Sequence, residues 1–171
     1  MHEDPKLILA PSPTDERLSV PVSGINENGE QVELRVVTER PLTLYLNSQE
    51  IVTMMTIGDH PDLLGIGYLV NQNMLNPDDP VSGVDYDEEL GIVIVRTETE
   101  TLFEEKMKKR VRTSGCAQGT VFGDVIDAFD DIKLSDSAVL KTSWLGSLTH
   151  KINTTPSLYL EAGAIHGCVL C

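Results

Sequence analysis

Between Gln31 and Ile57 apolar residues recur at about every second position, and a chain with that period folds as strands rather than helix. Val32, Leu34 and Val36 roughly alternate with Glu33, Arg35 and Val37. After the interruption at Pro41, Leu42, Leu44 and Leu46 alternate with Thr43 and Tyr45. Asn47-Ser48-Gln49 reads as a turn, and Ile51 to Ile57 as a returning strand. Asp59 is placed to cap a helix with Pro61 in its first turn, and the stripe Leu63, Leu64, Gly67, Tyr68, Val70 carries it to about Asn73. Residues 76–90 read as an acidic loop. Gly91 to Thr97, with its run IVIV, reads as a buried strand. Further on, Ser135 or Ser137 starts a helix to about Lys151, because Leu140, Trp144 and Leu148 fall four apart and Leu145 and Ile152 widen the stripe. Ser157 to Glu161 reads as a strand, and Gly163 onward as the start of another helix. Residues 1–30, with Pro5, Pro11, Pro13, Pro21, Gly24 and Gly29, read as a loose lead-in. The expected class is α/β (α+β).

Composition narrows the function. Among 171 residues, 13 are Lys or Arg and 27 are Asp or Glu, a net charge of −14. With 40% hydrophobic and 23% charged residues, the chain is globular rather than disordered. So acidic a chain makes a poor general nucleic-acid binder, since phosphate needs a basic face. No apolar stretch approaches the roughly 18 residues of a membrane span. Three cysteines, an odd and small number, argue against a disulfide framework, and the expectation is a cytoplasmic protein with free thiols. The C-terminal AIHGCVLC stops inside an apolar run, and the expectation is a chain that is part of a longer one, the alternative being a last element that docks on something.

The charge is segregated. Residues 1–105 hold 5 basic and 21 acidic residues, and residues 106–112 (KMKKRVR) hold 5 basic and none acidic. The basic run leads directly into TSGCAQGTVFGD, residues 113–124. Cys116 therefore stands between Gly115 and Gly119, where the backbone bends freely, behind five cations able to stabilise a thiolate. Two readings stay open on residues alone: a reactive thiol, or a small buried residue in a turn. The same loop could cradle an anion, although it matches neither a Walker A nor a GxGxxG pattern. His166, Cys168 and Cys171 form H-x-C-x-x-C, a weak zinc pattern without a second ligand pair. Core cysteines are the simpler reading. His60 reads as a helix-initiating residue and His150 as a helix C-terminal one.

Three motifs in order carry a resemblance. ERPLTLYLNSQEIVTMMTIGDHPDLLGIGYLVNQNML (39–75), TSGCAQGTVFGD (113–124) and YLEAGAIHGCVLC (159–171) together resemble the formate dehydrogenase accessory sulfurtransferase family, FdhD, over residues ~31–171. The resemblance implies a sulfurtransferase. It takes sulfur from a cysteine desulfurase as a persulfide and passes it to the molybdenum cofactor, bis-molybdopterin guanine dinucleotide, before insertion into formate dehydrogenase. Cys116 matches the persulfide-bearing position. Gly115, Gly119, Gly163 and His166 match cofactor-contacting segments, and no resident metal is implied. The implied layout is a lead-in over 1–30, a strand-rich subdomain over 31–112, and over 113–171 the incomplete start of a cytidine-deaminase-like α/β/α domain. The family also implies a possible homodimer. This sequence departs from the pattern at Gly119, where some relatives carry a second loop cysteine, and at Ala162-Gly163-Ala164 in place of Thr-Gly-Gly. The deaminase likeness is one of fold only, because the zinc ligand set is missing. The alternative reading is a non-catalytic molybdenum-cofactor-binding chaperone, with Cys116 a bystander. A zinc-binding regulatory domain on His166, Cys168 and Cys171 is a third.

Overall fold

A computed structural model of the chain describes residues 11–76, 79–98, 110–112, 120–122, 137 and 139–163. Two compact units divide the chain: residues 39–136, and residues 1–38 together with 137–171. The described elements mix strands and helices, as expected for an α/β (α+β) chain.

The unit from Glu39 to Asp136 is built on a four-stranded sheet. Its strands are β3 (Arg40–Leu46), β4 (Gln49–Thr56), β5 (Val81–Asp87) and β6 (Ile92–Thr97), ordered β4-β3-β6-β5. β3 runs parallel to β6, and the outer pairs are antiparallel. The period-two pattern does its expected work: Leu42, Leu44 and Leu46 are buried on one face, with Val93 and Val95 of β6 beside them. Helix α1 (Pro61–Asn71) covers this face. Gly65 lets it approach closely, since a Cβ there would stand 3.2 Å from Leu44 Cδ1. Leu69, Met74 and Leu75 complete the core.

β4 carries one local irregularity. Leu44 pairs with Val52 and Tyr45 with Glu50, which leaves Ile51 as an extra residue, a β-bulge. The bulge explains why Ile51 and Val52, adjacent in sequence, are both buried when a regular strand would expose one of them.

Two expectations in this unit change. The acidic stretch 76–90 contains β5, an edge strand paired to β6 from Val81↔Thr97 to Asp87↔Ile92. Acidic residues read as loop in sequence, but an edge strand leaves Asp85 and Asp87 exposed while Val84 packs on the core. At α1 the N-cap is His60 rather than Asp59, in left-handed conformation (φ 44°), with no side-chain capping bond.

In the other unit, β1 (Ser19–Ile25) and β2 (Gln31–Val37) form an antiparallel ribbon, from Ser19↔Val37 to Ile25↔Gln31. The sequence reading gave β1 to a loose lead-in, because Pro21 and Gly24 are poor strand residues. Pairing overrides that propensity, and Pro21 is tolerated on a strand that has one strand partner among the described residues. Asn26 closes the turn: its Oδ1 accepts the N–H groups of Asn28 and Glu30, both at 3.0 Å. Arg35 donates from Nε to Ser19 Oγ and from a terminal nitrogen to Ser19 O, each at 2.8 Å, where Ser19 is fully buried.

Helix α2 (Thr142–Thr154) starts later than Ser135 or Ser137, at an extended Lys141. Its Trp144, Leu145 and Ile152 are about half exposed, so the stripe read as core is not enclosed. Residues 158–162 form a short helix, α3 (Leu158–Ala162), and not the expected strand. Five largely apolar residues do not distinguish the two by period. Burial of Leu158 at the first turn, and the bonds from Leu160 and Glu161 N–H to Ser157 O, decide for helix. α3 packs against β2. Among the described residues no helix is long and apolar enough to cross a membrane.

The Gly91→Ala variant is expected to lose stability. Gly91 has φ 63°, and a Cβ there would lie 2.7 Å from Pro41 O, against the rung in which Thr43 N–H meets Gly91 O at 2.8 Å. Strain plus the clash should cost about 3 kcal/mol in urea unfolding. Leu44→Ala, at a fully buried position, should cost roughly 3–4 kcal/mol by the same assay.

One pH effect lies on the acid limb. The Arg17 side chain, closing on Asp15 at 2.6 Å, and the Arg17 backbone N–H hold the Asp15 carboxyl down from 3.8 to about 2. A depressed folded value favours the folded state above the ordinary value, and the benefit is lost as pH falls through about 2. A carboxyl NMR titration should place the Asp15 midpoint near 2, and Arg17→Ala should return it toward 3.8.

Candidate functional site

The chain leaves the core sheet at the end of β6, and that end is held by a latch. Asn47, in the β3–β4 turn, has φ 55°. Its backbone N–H donates to Val95 O at 2.8 Å, one step past the last β3–β6 rung at Leu46↔Val95. Its side chain then replaces the next rung: Oδ1 accepts Thr97 N–H at 2.9 Å, and Nδ2 donates to Thr97 Oγ1 at 3.1 Å. The sequence reading took Asn47 as a turn residue. The signal for more was its type, since Asn both tolerates the left-handed region and carries a peptide-like amide.

Further along, β7 (Arg110–Arg112) pairs antiparallel with β8 (Thr120–Phe122), in the register Arg110↔Phe122, Val111↔Val121, Arg112↔Thr120. Arg112 and Thr120 are thus held as cross-strand partners, about 5 Å apart between Cα atoms. The seven residues 113–119 join them, and Cys116 is the middle one. The end of the basic run is therefore strand, paired with the chain that follows the cysteine.

Gly115, Cys116 and Gly119 themselves lie outside the described residues, and so does His166. Gly163, the remaining predicted contact, follows α3. Its φ of 61° and ψ of −165° are a combination open to glycine and costly for other residues. Its N–H donates to Tyr159 O at 2.9 Å, which ends the helix three residues before His166. A helix-ending role accounts for glycine there.

Of the zinc pattern, His166, Cys168 and Cys171 all lie outside the described residues. Among the described residues no three His, Cys, Asp or Glu side chains converge on a metal position. His60 initiates α1 as read from sequence, with Nε2 at 3.8 Å from Asp59 Oδ1. His150 lies in the last turn of α2, where its carbonyl accepts from Thr154 Oγ1 at 2.8 Å.

A strand-rich unit, a basic stretch and then a cysteine follow one another along the chain, and comparison with known proteins gives the family. Residues 37–171 match the FdhD/NarQ family, and the chain belongs to it. It is 32% identical over 154 residues to the sulfur carrier protein FdhD of Bacillus subtilis (strain 168), covering 85% of this chain and 56% of that one. It is 26% identical over 145 residues to the sulfur carrier protein FdhD of Listeria innocua, covering 83% and 56%. The chain thus spans about half the length of the curated relatives it matches. A crystal structure of a putative formate dehydrogenase accessory protein from Desulfotalea psychrophila overlaps 47% of this chain and 36% of its own, with 20% identity and a TM-score of 0.43.

The latch is testable apart from any activity. Asn47→Gly keeps the positive φ and deletes only the side-chain bonds, and should cost about 1–2 kcal/mol in urea unfolding. Asn47→Val deletes the same bonds and adds a β-branched residue at positive φ, and should cost about 1–2 kcal/mol more. Equal losses in the two variants would mean that the turn conformation contributes nothing.

Proposed function

We propose that this chain is the cysteine-bearing part of a sulfur carrier that serves formate dehydrogenase. Cys116 is the group that carries the sulfur. The support is membership of the FdhD/NarQ family over a stretch that includes Cys116, and relatives that are named sulfur carrier proteins. The position of Cys116 midway between two paired strand ends, behind the basic run, agrees with it.

The chemistry follows from thiol exchange. The Cys116 thiolate attacks the terminal sulfur of a persulfide on a cysteine desulfurase. The donor's S–S bond breaks, the donor cysteine leaves as thiolate, and Cys116 holds the new persulfide. The five cations of residues 106–112 favour the thiolate that starts this step. A persulfide carrier needs its sulfur to be surrendered as well as accepted. The terminal sulfur is then delivered to the molybdenum cofactor, bis-molybdopterin guanine dinucleotide, which is the substrate here, before that cofactor enters formate dehydrogenase. The Cys116 S–S bond breaks, Cys116 is left as thiolate, and the reduced molybdenum centre of that substrate supplies the two electrons that take the sulfur to the sulfide level. The glycines of the loop, Gly115 and Gly119, suit an approach to a bulky anion, and Gly163 and His166 are the further contacts proposed for it. One loop thiol is enough for this scheme, so Gly119 in place of a second cysteine does not block it. A reducing compartment, the cytoplasm, keeps Cys116 available as a thiol.

Incubation with a cysteine desulfurase and L-cysteine, followed by intact-protein mass spectrometry, should show a reducible gain of one sulfur that maps to Cys116. Cys116→Ser should abolish the gain and the ability to support formate dehydrogenase. A folded Cys116→Ser protein that still supports the enzyme would replace the carrier reading with that of a cofactor-binding chaperone.

A further inference from the structure

We draw no further inference here: the strongest candidate, the apolar face of the β1–β2 ribbon where the cross-strand pairs Val20↔Val36 and Val22↔Leu34 are exposed, carries nothing because nothing in the structure shows what covers it.

Discussion

Parallel pairing of β3 with β6 is the interaction on which the sheet unit depends. It joins the β3–β4 hairpin to the β5–β6 hairpin, which are otherwise separate antiparallel ribbons. A two-stranded ribbon alone is marginal in water, whereas four strands present a face wide enough for a helix to cover. Leu44 and Val93, partners across this pairing, are both fully buried, and Gly65 of α1 sits over them. A parallel pair cannot be closed by a tight turn, so β4, α1 and β5 supply the long connection. The two ends of the pairing are finished by unusual backbone. Gly91 opens it under Pro41 O, and Asn47 closes it against Thr97.

The candidate site lies downstream of that sheet along the chain. β6 ends at Thr97, the basic run follows, and β7 and β8 pair on either side of the cysteine segment. Strand pairing holds Arg112 and Thr120, the residues on either side of 113–119, as cross-strand partners. Five of the chain's 13 basic residues fall in residues 106–112, in a chain of net charge −14.

Much of the fold was legible in the sequence where the period was strong and long. Leu42, Leu44, Leu46 and the IVIV run of β6 announced their strands, and Pro61 announced the start of α1. Legibility failed where a segment owes its state to a neighbour. Ser19–Ile25 has weak strand propensity and is a strand because β2 pairs with it. Asp85 and Asp87 look like loop residues and sit on an edge strand because one side of that strand meets solvent. Leu158–Ala162 is too short for its period to speak, and the burial of Leu158 decided it. Of the candidate site, only the candidacy of Cys116 was legible, from its glycines and the cation run, and the residue itself lies outside the described ones. The pairing of β7 with β8 around it was not legible, because three-residue strands leave no pattern.

By itself the sequence determined the mixed class, the strand-rich front and the segregation of charge into the run that precedes Cys116. These are local properties: period, residue type and spacing are written along the chain. Only the tertiary structure decided the strand order β4-β3-β6-β5, the bulge that buries Ile51 beside Val52, and the latch between Asn47 and Thr97. The strand order and the latch are pairings between residues distant in sequence, and the bulge is a choice of register within the β3–β4 hairpin. Such pairings are chosen by which apolar faces can be buried together while every backbone N–H and C=O still finds a partner.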